Sequence, residues 1–160
     1  MNTLPSRNRS RQLLAAGLLA IAIAGGCGDG SDLDPGDDEA APAYTLTIAV
    51  DGSGRLGALQ FEMTHLGNSG GFIGREVQID CRPLADGIVA GNYVGERVAK
   101  IGFISLAGVR MPAPLLECGF RTREALDASS FLFEVTDASD TNSNPLDPPP
   151  QVVLSRVVRR

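Results

Sequence analysis

From residue 44 onward the chain is written in short runs in which apolar and polar residues alternate with a period of two. Tyr44, Leu46, Ile48 and Val50 are interleaved with Thr45, Thr47 and Ala49, and Leu59, Phe61 and Met63 with Gln60, Glu62 and Thr64. Successive side chains of an extended chain point to opposite faces, so each run offers one face to a core and one to water. The same reading turns Val77, Ile79 and Cys81 inward, then Leu116, Cys118 and Phe120, then Phe131, Phe133 and Val135. Residues 87–94, 97–106 and 151–158 add three further strands, each bounded by Gly, Pro, Asn or Asp. Eight or nine short strands predict an all-β fold, a two-sheet β-sandwich over 44–158. One helical turn at most is expected, within 121–128, with Thr122 or Asp127 at its ends.

The first residues follow another pattern. Arg7, Arg9 and Arg11 come with no acid, and an apolar run over 13–24 ends in small residues. At roughly 1.5 Å per residue that run reaches about 18 Å, short of the roughly 30 Å hydrocarbon layer, so it reads as a secretory leader and not as a permanent span. The three arginines are never adjacent, which disfavours twin-arginine export. Ala24-Gly25-Gly26-Cys27 resembles the lipobox of bacterial lipoproteins, with Ala24 where that family most often has Leu. The resemblance implies that residues 1–26 are removed and that Cys27 becomes a diacylated first residue. Two or three acyl chains, each buried CH₂ contributing about 0.8 kcal/mol, hold a protein durably on a membrane where one chain does not. The plainer alternative is an ordinary signal peptide ending near Gly26. Gly28 is not the Asp that resembles an inner-membrane retention signal, so the expected place in a two-membrane envelope is the outer membrane, facing either the periplasm or the outside.

Between this leader and the first strand, residues 28–43 hold six acids, no base and little apolar mass. With Cys27 they are expected to form an acidic tether, 27–43, reaching on the order of 20 Å as a coil and about 50 Å when stretched. The tether also relocates the charge of the chain. The 160 residues carry a formal charge of -5. Setting aside Arg7, Arg9, Arg11 and the six tether acids leaves 11 of the 14 bases against 13 of the 19 acids in the remainder. That nearly neutral domain offers no field for phosphate neutralisation, which argues against nucleic acid as a partner. With one His and three Cys, His-based catalysis and most metal centres lack parts. Cys81 and Cys118 fall on inward faces and, with Cys27 acylated, form an even pair in an oxidising compartment. A disulfide between them is expected, two buried free thiols being the alternative.

Three motifs suggest chemistry. Gly52-Ser53-Gly54-Arg55-Leu56-Gly57 fits the dinucleotide-binding Gly-x-Gly-x-x-Gly, trailed by Asp80. The alternation from Leu59 to Thr64 excludes the helix that motif needs, so a Gly-rich hairpin turn is expected. Gly67-Asn68-Ser69-Gly70-Gly71 matches Gly-x-Ser-x-Gly close to His65. A strand and not a helix follows the Ser, so a small exported hydrolase using Ser69 and His65 is only the rival reading. Asp140-Thr141-Asn142-Ser143-Asn144 begins like a calcium loop, with Asp137, Asp140 and Asn142 as candidate ligands. It breaks at Pro145 and Gln151, where Gly and Glu are needed, so an Asx-rich turn is the alternative to a weak structural calcium site.

Leu56-Gly57-Ala58-Leu59-Gln60-Phe61-Glu62-Met63-Thr64 resembles the second-strand region of cohesin modules. Ile101-Gly102-Phe103-Ile104-Ser105, then 114–121 and 130–137, are similar to that family's later strands. The resemblance implies a nine-stranded jelly-roll related to carbohydrate-binding modules, and a flat sheet face that holds a protein partner. No site combines a nucleophile, a matched base and an orienting group, so a non-catalytic binding module without a cofactor is expected. Glycan binding is the alternative. The chain has no Trp, and only Tyr93, Tyr44, Phe72 and Phe103 could present rings outside the core, which favours a protein over a glycan.

Overall fold

The computed structural model describes residues 41–95 and 97–160. The leader, Cys27 and nearly all of the expected tether lie outside the described residues. The rest is a sandwich of two antiparallel sheets. In the five-stranded sheet, β1 (Ala43–Asp51) lies between β11 (Gln151–Arg159) and β9 (Ala113–Arg121), and the far edge of β9 is shared by β3 (Gly71–Phe72) and β6 (Cys81–Pro83). The six-stranded sheet runs from β10 (Phe131–Ser139) through β2 (Arg55–His65), β8 (Val98–Arg110), β7 (Ile88–Gly95) and β5 (Gln78–Ile79) to β4 (Gly74–Arg75).

The alternation read from the sequence places the core between these sheets. Leu46, Ile48 and Val50 of β1 stand opposite the inward rows of β9 and β11, and with Leu116, Cys118, Phe120, Val152 and Leu154 they are buried. The other sheet contributes Leu56, Leu59, Phe61 and Met63 from β2 and Ala99, Ile101 and Phe103 from β8, all within 2 % of complete burial. Each large apolar side chain so buried stabilises the fold by about 1.5–3 kcal/mol. One sheet is clamped covalently. Cys81 and Cys118 are direct cross-strand partners of β6 and β9, and their sulfurs are bonded at 1.99 Å with Cα atoms 4.1 Å apart.

Four features differ from the sequence reading. The expected single strand through Val77, Ile79 and Cys81 is two strands in different sheets. The chain crosses at Asp80, whose amide donates to Ile73 and whose carbonyl accepts from Gly119, while Val77 sits 65 % exposed beside the β4–β5 turn at Glu76, φ 54°. These interruptions raise the count to eleven strands among the described residues, four of them only two or three residues long. Gly52–Gly54 form no hairpin, because β1 and β2 belong to opposite sheets; the segment is an arch over the sandwich end. Gly57, the last glycine of that motif, packs against the backbone of Asp140, where a Cβ would collide with the carbonyl. The expected helical turn lies later, as a 3₁₀ turn over Ala128–Ser130 capped by the Asp127 carboxylate.

Candidate functional site

The outer face of the six-stranded sheet is built by the residues that alternate with its core. Its register places Ser139, Ala58, Ile104 and Ile88 in one row across β10, β2, β8 and β7. Gln60, Gly102 and Ala90 form the next row, and Glu134, Glu62, Lys100 and Asn92 the one after. Ala58, Gly102 and Ala90 add almost no relief, so this half is flat, with Ile88 and Ile104 rising from it 76 % and 56 % exposed. β-Branched cross-strand neighbours stabilise a pleated surface, yet here the pair faces solvent. The polar row beside it juxtaposes the acids Glu134 and Glu62 with Lys100, so the face is apolar at one end and charged at the other.

A break in β8 extends the apolar end. Between the pairs Ala58–Ile104 and Leu56–Val109, β2 has only Gly57 while β8 has Ser105, Leu106, Ala107 and Gly108. Of the extra residues Ser105 is buried, Leu106 and Ala107 are exposed, and Gly108 takes φ 74°. Arg55 holds the bulge by donating from Nη1 to the Ala107 carbonyl at 2.7 Å. Leu106 stands at its crest, 95 % exposed. Ile88, Ile104 and Leu106 thus form an apolar projection on a flat surface, an arrangement suited to a partner's apolar pocket or side-chain row. The expectation of an outward Phe103 gave β8 the opposite phase, so the outward Ile104 comes from the structure, and the bulge has no clear mark in the sequence beyond Gly57 and Gly108.

The second cluster lies at the end of the sandwich where β2 runs out. Glu124 reaches across 55 residues to close the 67–70 loop: its Oε1 accepts from the amides of Asn68 and Ser69 and from Ser69 Oγ, at 2.8–3.0 Å. The Ser69 hydroxyl bond, then the two amide bonds and His65 nearby, hold the Glu124 carboxyl below its usual range. Arg97 donates to the Gly67 carbonyl. His65 is buried beneath this loop among Phe120, at 4.7 Å between ring centres, and Phe131, at 5.2 Å. Its Nδ1 has no hydrogen-bond partner among the described residues. Burial lowers the imidazole pKa; Glu124 opposes that shift and Arg97 adds to it. Ser69 and His65 are therefore neighbours in the fold, but the hydroxyl's proton is directed to a carboxylate and not to the imidazole. The geometry is that of a stapled loop over an aromatic core.

The remaining candidates serve the fold in visible ways. Asp140 spends its carboxylate on its own turn: Oδ1 accepts from the amides of Asn142 and Asn144, and Oδ2 from the Asn144 side chain, which together lower its pKa. Asp137 stands on β10 beside the Thr136 bulge, and no group of three His, Cys, Asp or Glu is gathered among the described residues. Phe72 and Phe103, expected as outward rings, belong to the core. Phe103 keeps the inward phase of Ala99 and Ile101, and Phe72 packs edge-on against Phe120 at 5.1 Å. Tyr44 and Tyr93 are half-buried against the core, and Tyr93 donates its hydroxyl to the Phe72 carbonyl at 2.7 Å. Burial of that phenol raises its pKa.

No family model and no curated protein matches this chain. Among solved structures it is similar to a non-cellulosomal cohesin from the hyperthermophilic archaeon Archaeoglobus fulgidus, with a TM-score of 0.50 and 11 % identity over 67 % of this chain and 74 % of that one. The described residues thus share the all-β sandwich fold of a cohesin.

Proposed function

We propose that this chain is a membrane-anchored extracytoplasmic lipoprotein whose sandwich is a non-catalytic binding module for a protein partner. The observation that carries the binding role is the flat outer face of the six-stranded sheet, with Ile88, Ile104 and Leu106 projecting between 56 % and 95 % exposed. Isolated exposed apolar residues are ordinary; three adjoining ones on a glycine- and alanine-flattened surface fit association with an apolar protein segment. The similarity to a cohesin fold supports the same reading. A glycan platform loses support from the burial of Phe72 and Phe103, since stacking on sugars needs exposed rings.

Anchoring rests on the lipobox-like Ala24-Gly25-Gly26-Cys27. Intact mass tests it: the mature chain begins at Cys27 with added acyl mass, and an unmodified N-terminus elsewhere overturns it. The binding role is tested by chemical cross-linking in intact envelopes. Wild type yields a discrete protein adduct that Ile88→Glu with Ile104→Glu abolishes and Ser69→Ala leaves intact. Equal capture by the double variant refutes the assigned face, and an exported hydrolytic activity lost in Ser69→Ala favours the rival reading.

A further inference from the structure

We propose that the opposite face of the sandwich, the outer face of the five-stranded sheet, is a membrane-facing surface whose Arg121, Arg156 and Arg160 bind the phosphate groups of anionic lipids. The two sheets are unlike in charge. The five-stranded sheet and its last residue carry Arg82, Arg121, Arg156, Arg159 and Arg160 against Asp51 and Glu117. Glu117 is engaged, pairing with Arg82 at 2.5 Å and accepting from Thr47. Asp51 lies at the far end of β1, and Asp80 borders the face where its carbonyl meets the Gly119 amide.

The register fixes where the remaining arginines stand. Arg121 pairs with Ala43, Arg156 with Thr47, and the Arg160 amide donates to the Ala43 carbonyl. Ala43, Thr45 and Thr47 are the outward positions of β1, since Leu46, Ile48 and Val50 are buried. The Arg160 guanidinium accordingly lies on the outer face, donating from Nε to Thr45 Oγ1 at 2.7 Å. All three arginines are exposed, and none has an acidic partner among the described residues. Val153 and Val158, 40 % and 38 % exposed, share the face and give it some apolar surface beside the charge. A guanidinium binds phosphate through paired donors and is weakly hydrated, which suits it to a headgroup layer.

The position of this cluster selects lipid as the anion. Arg121 and Arg160 flank Ala43, where the chain enters the sandwich from its N-terminal side. If Cys27 holds the protein in a bilayer, the chain that follows it joins the sandwich beside these arginines and brings them within reach of the headgroups. This proximity rests on the anchored reading, whereas lipid binding by the arginines stands on the face itself.

The test keeps the two apart. The full mature chain from residue 27, with Cys27→Ser so that no acyl chain contributes, is mixed with vesicles of phosphatidylcholine alone or containing about 30 % phosphatidylglycerol at low salt. Binding to the anionic vesicles only is expected, weakened roughly fivefold by each of Arg121→Gln, Arg156→Gln and Arg160→Gln, and lost at about 0.5 M salt. Arg75→Gln with Arg110→Gln, on the other sheet, serves as the control and leaves binding unchanged. No sedimentation above the neutral-vesicle level, or equal binding by the triple variant, overturns the proposal. An unmodified Cys27 in the native protein would remove the anchor while leaving the vesicle result as it stands.

Discussion

Replacing Cys81 and Cys118 together by Ala removes the covalent link that holds β6 to β9, and the structure sets the size of the effect. The two residues are 37 apart in sequence. Releasing a loop of that length restores unfolded-chain entropy equivalent to about 4 kcal/mol. The other attachments of β6 are weak by comparison. The Arg82–Glu117 pair is largely solvated on its Arg side and contributes at most about 1 kcal/mol, while the following residues add amide bonds from Leu84 and Ala85 to the Leu115 carbonyl. For a domain of this size about 4 kcal/mol lowers Tm by about 15 °C. Ala is chosen because Cys118 is buried, so a polar replacement would add a desolvation penalty of its own. Thermal unfolding followed by circular dichroism reads the shift, and wild type unfolded under reducing conditions should track the variant. A decrease below about 1 kcal/mol, or a reduced wild type that unfolds like the oxidised one, would refute the view that this bridge dominates the attachment of the crossing segment.

Three further outcomes follow from the loop end of the sandwich and the Asx turn. His65 has a lowered pKa in the fold, so the unfolded chain binds the extra proton first: stability is full above about pH 6.5 and falls as pH drops through that value toward the folded pKa. Thermal unfolding between about pH 7.5 and pH 5 should show that loss, and His65→Leu should remove the part of the slope lying above the carboxylate range. Gly67→Ala places a Cβ into Glu124 Oε2 and 2.5 Å from His65 Cε1, and should destabilise by about 1–3 kcal/mol in urea titration, with Glu124→Ala restoring part of it. Asp140→Ala unties three hydrogen bonds of its turn and should lower stability by about 1–2 kcal/mol in the same titration; a calcium-dependent rise in wild-type Tm would show instead that these oxygens serve a metal.

The long strands were legible because one physical rule governs them: a half-buried strand must alternate, and the runs beginning at Tyr44, Leu59, Leu116 and Phe131 do so without interruption. The short ones were not. Val77, Ile79 and Cys81 alternate as a strand should, yet the chain changes sheets at Asp80 through backbone hydrogen bonds to Ile73 and Gly119, and backbone pairing leaves no trace in side-chain pattern. Phe72 escaped for a related reason. It stands in a strand of two residues, too short to show a period, and its burial is decided by Phe120 and Phe131 from distant segments. Phe103 is different, since the inward phase was present in Ala99 and Ile101 and could have been extended one step. In the candidate face, Ile104 and the flattening Gly102 lie on one strand, but the expectation of an outward Phe103 turned both of them the wrong way. Their union with Ile88, Ala90 and Ala58 depends on register between strands, as does the link from Glu124 to Ser69, which spans 55 residues.

We place the docking of a protein partner on the flat face of the six-stranded sheet. Placing a photo-reactive side chain at Ile104, and in a parallel sample at Thr45 on the opposite sheet, then irradiating intact envelopes, tests it most directly. One discrete protein adduct is expected from position 104, absent from position 45 and lost when Ile88→Glu and Leu106→Glu accompany the label. The same adducts from both positions, or none from position 104 while position 45 captures protein, would contradict it.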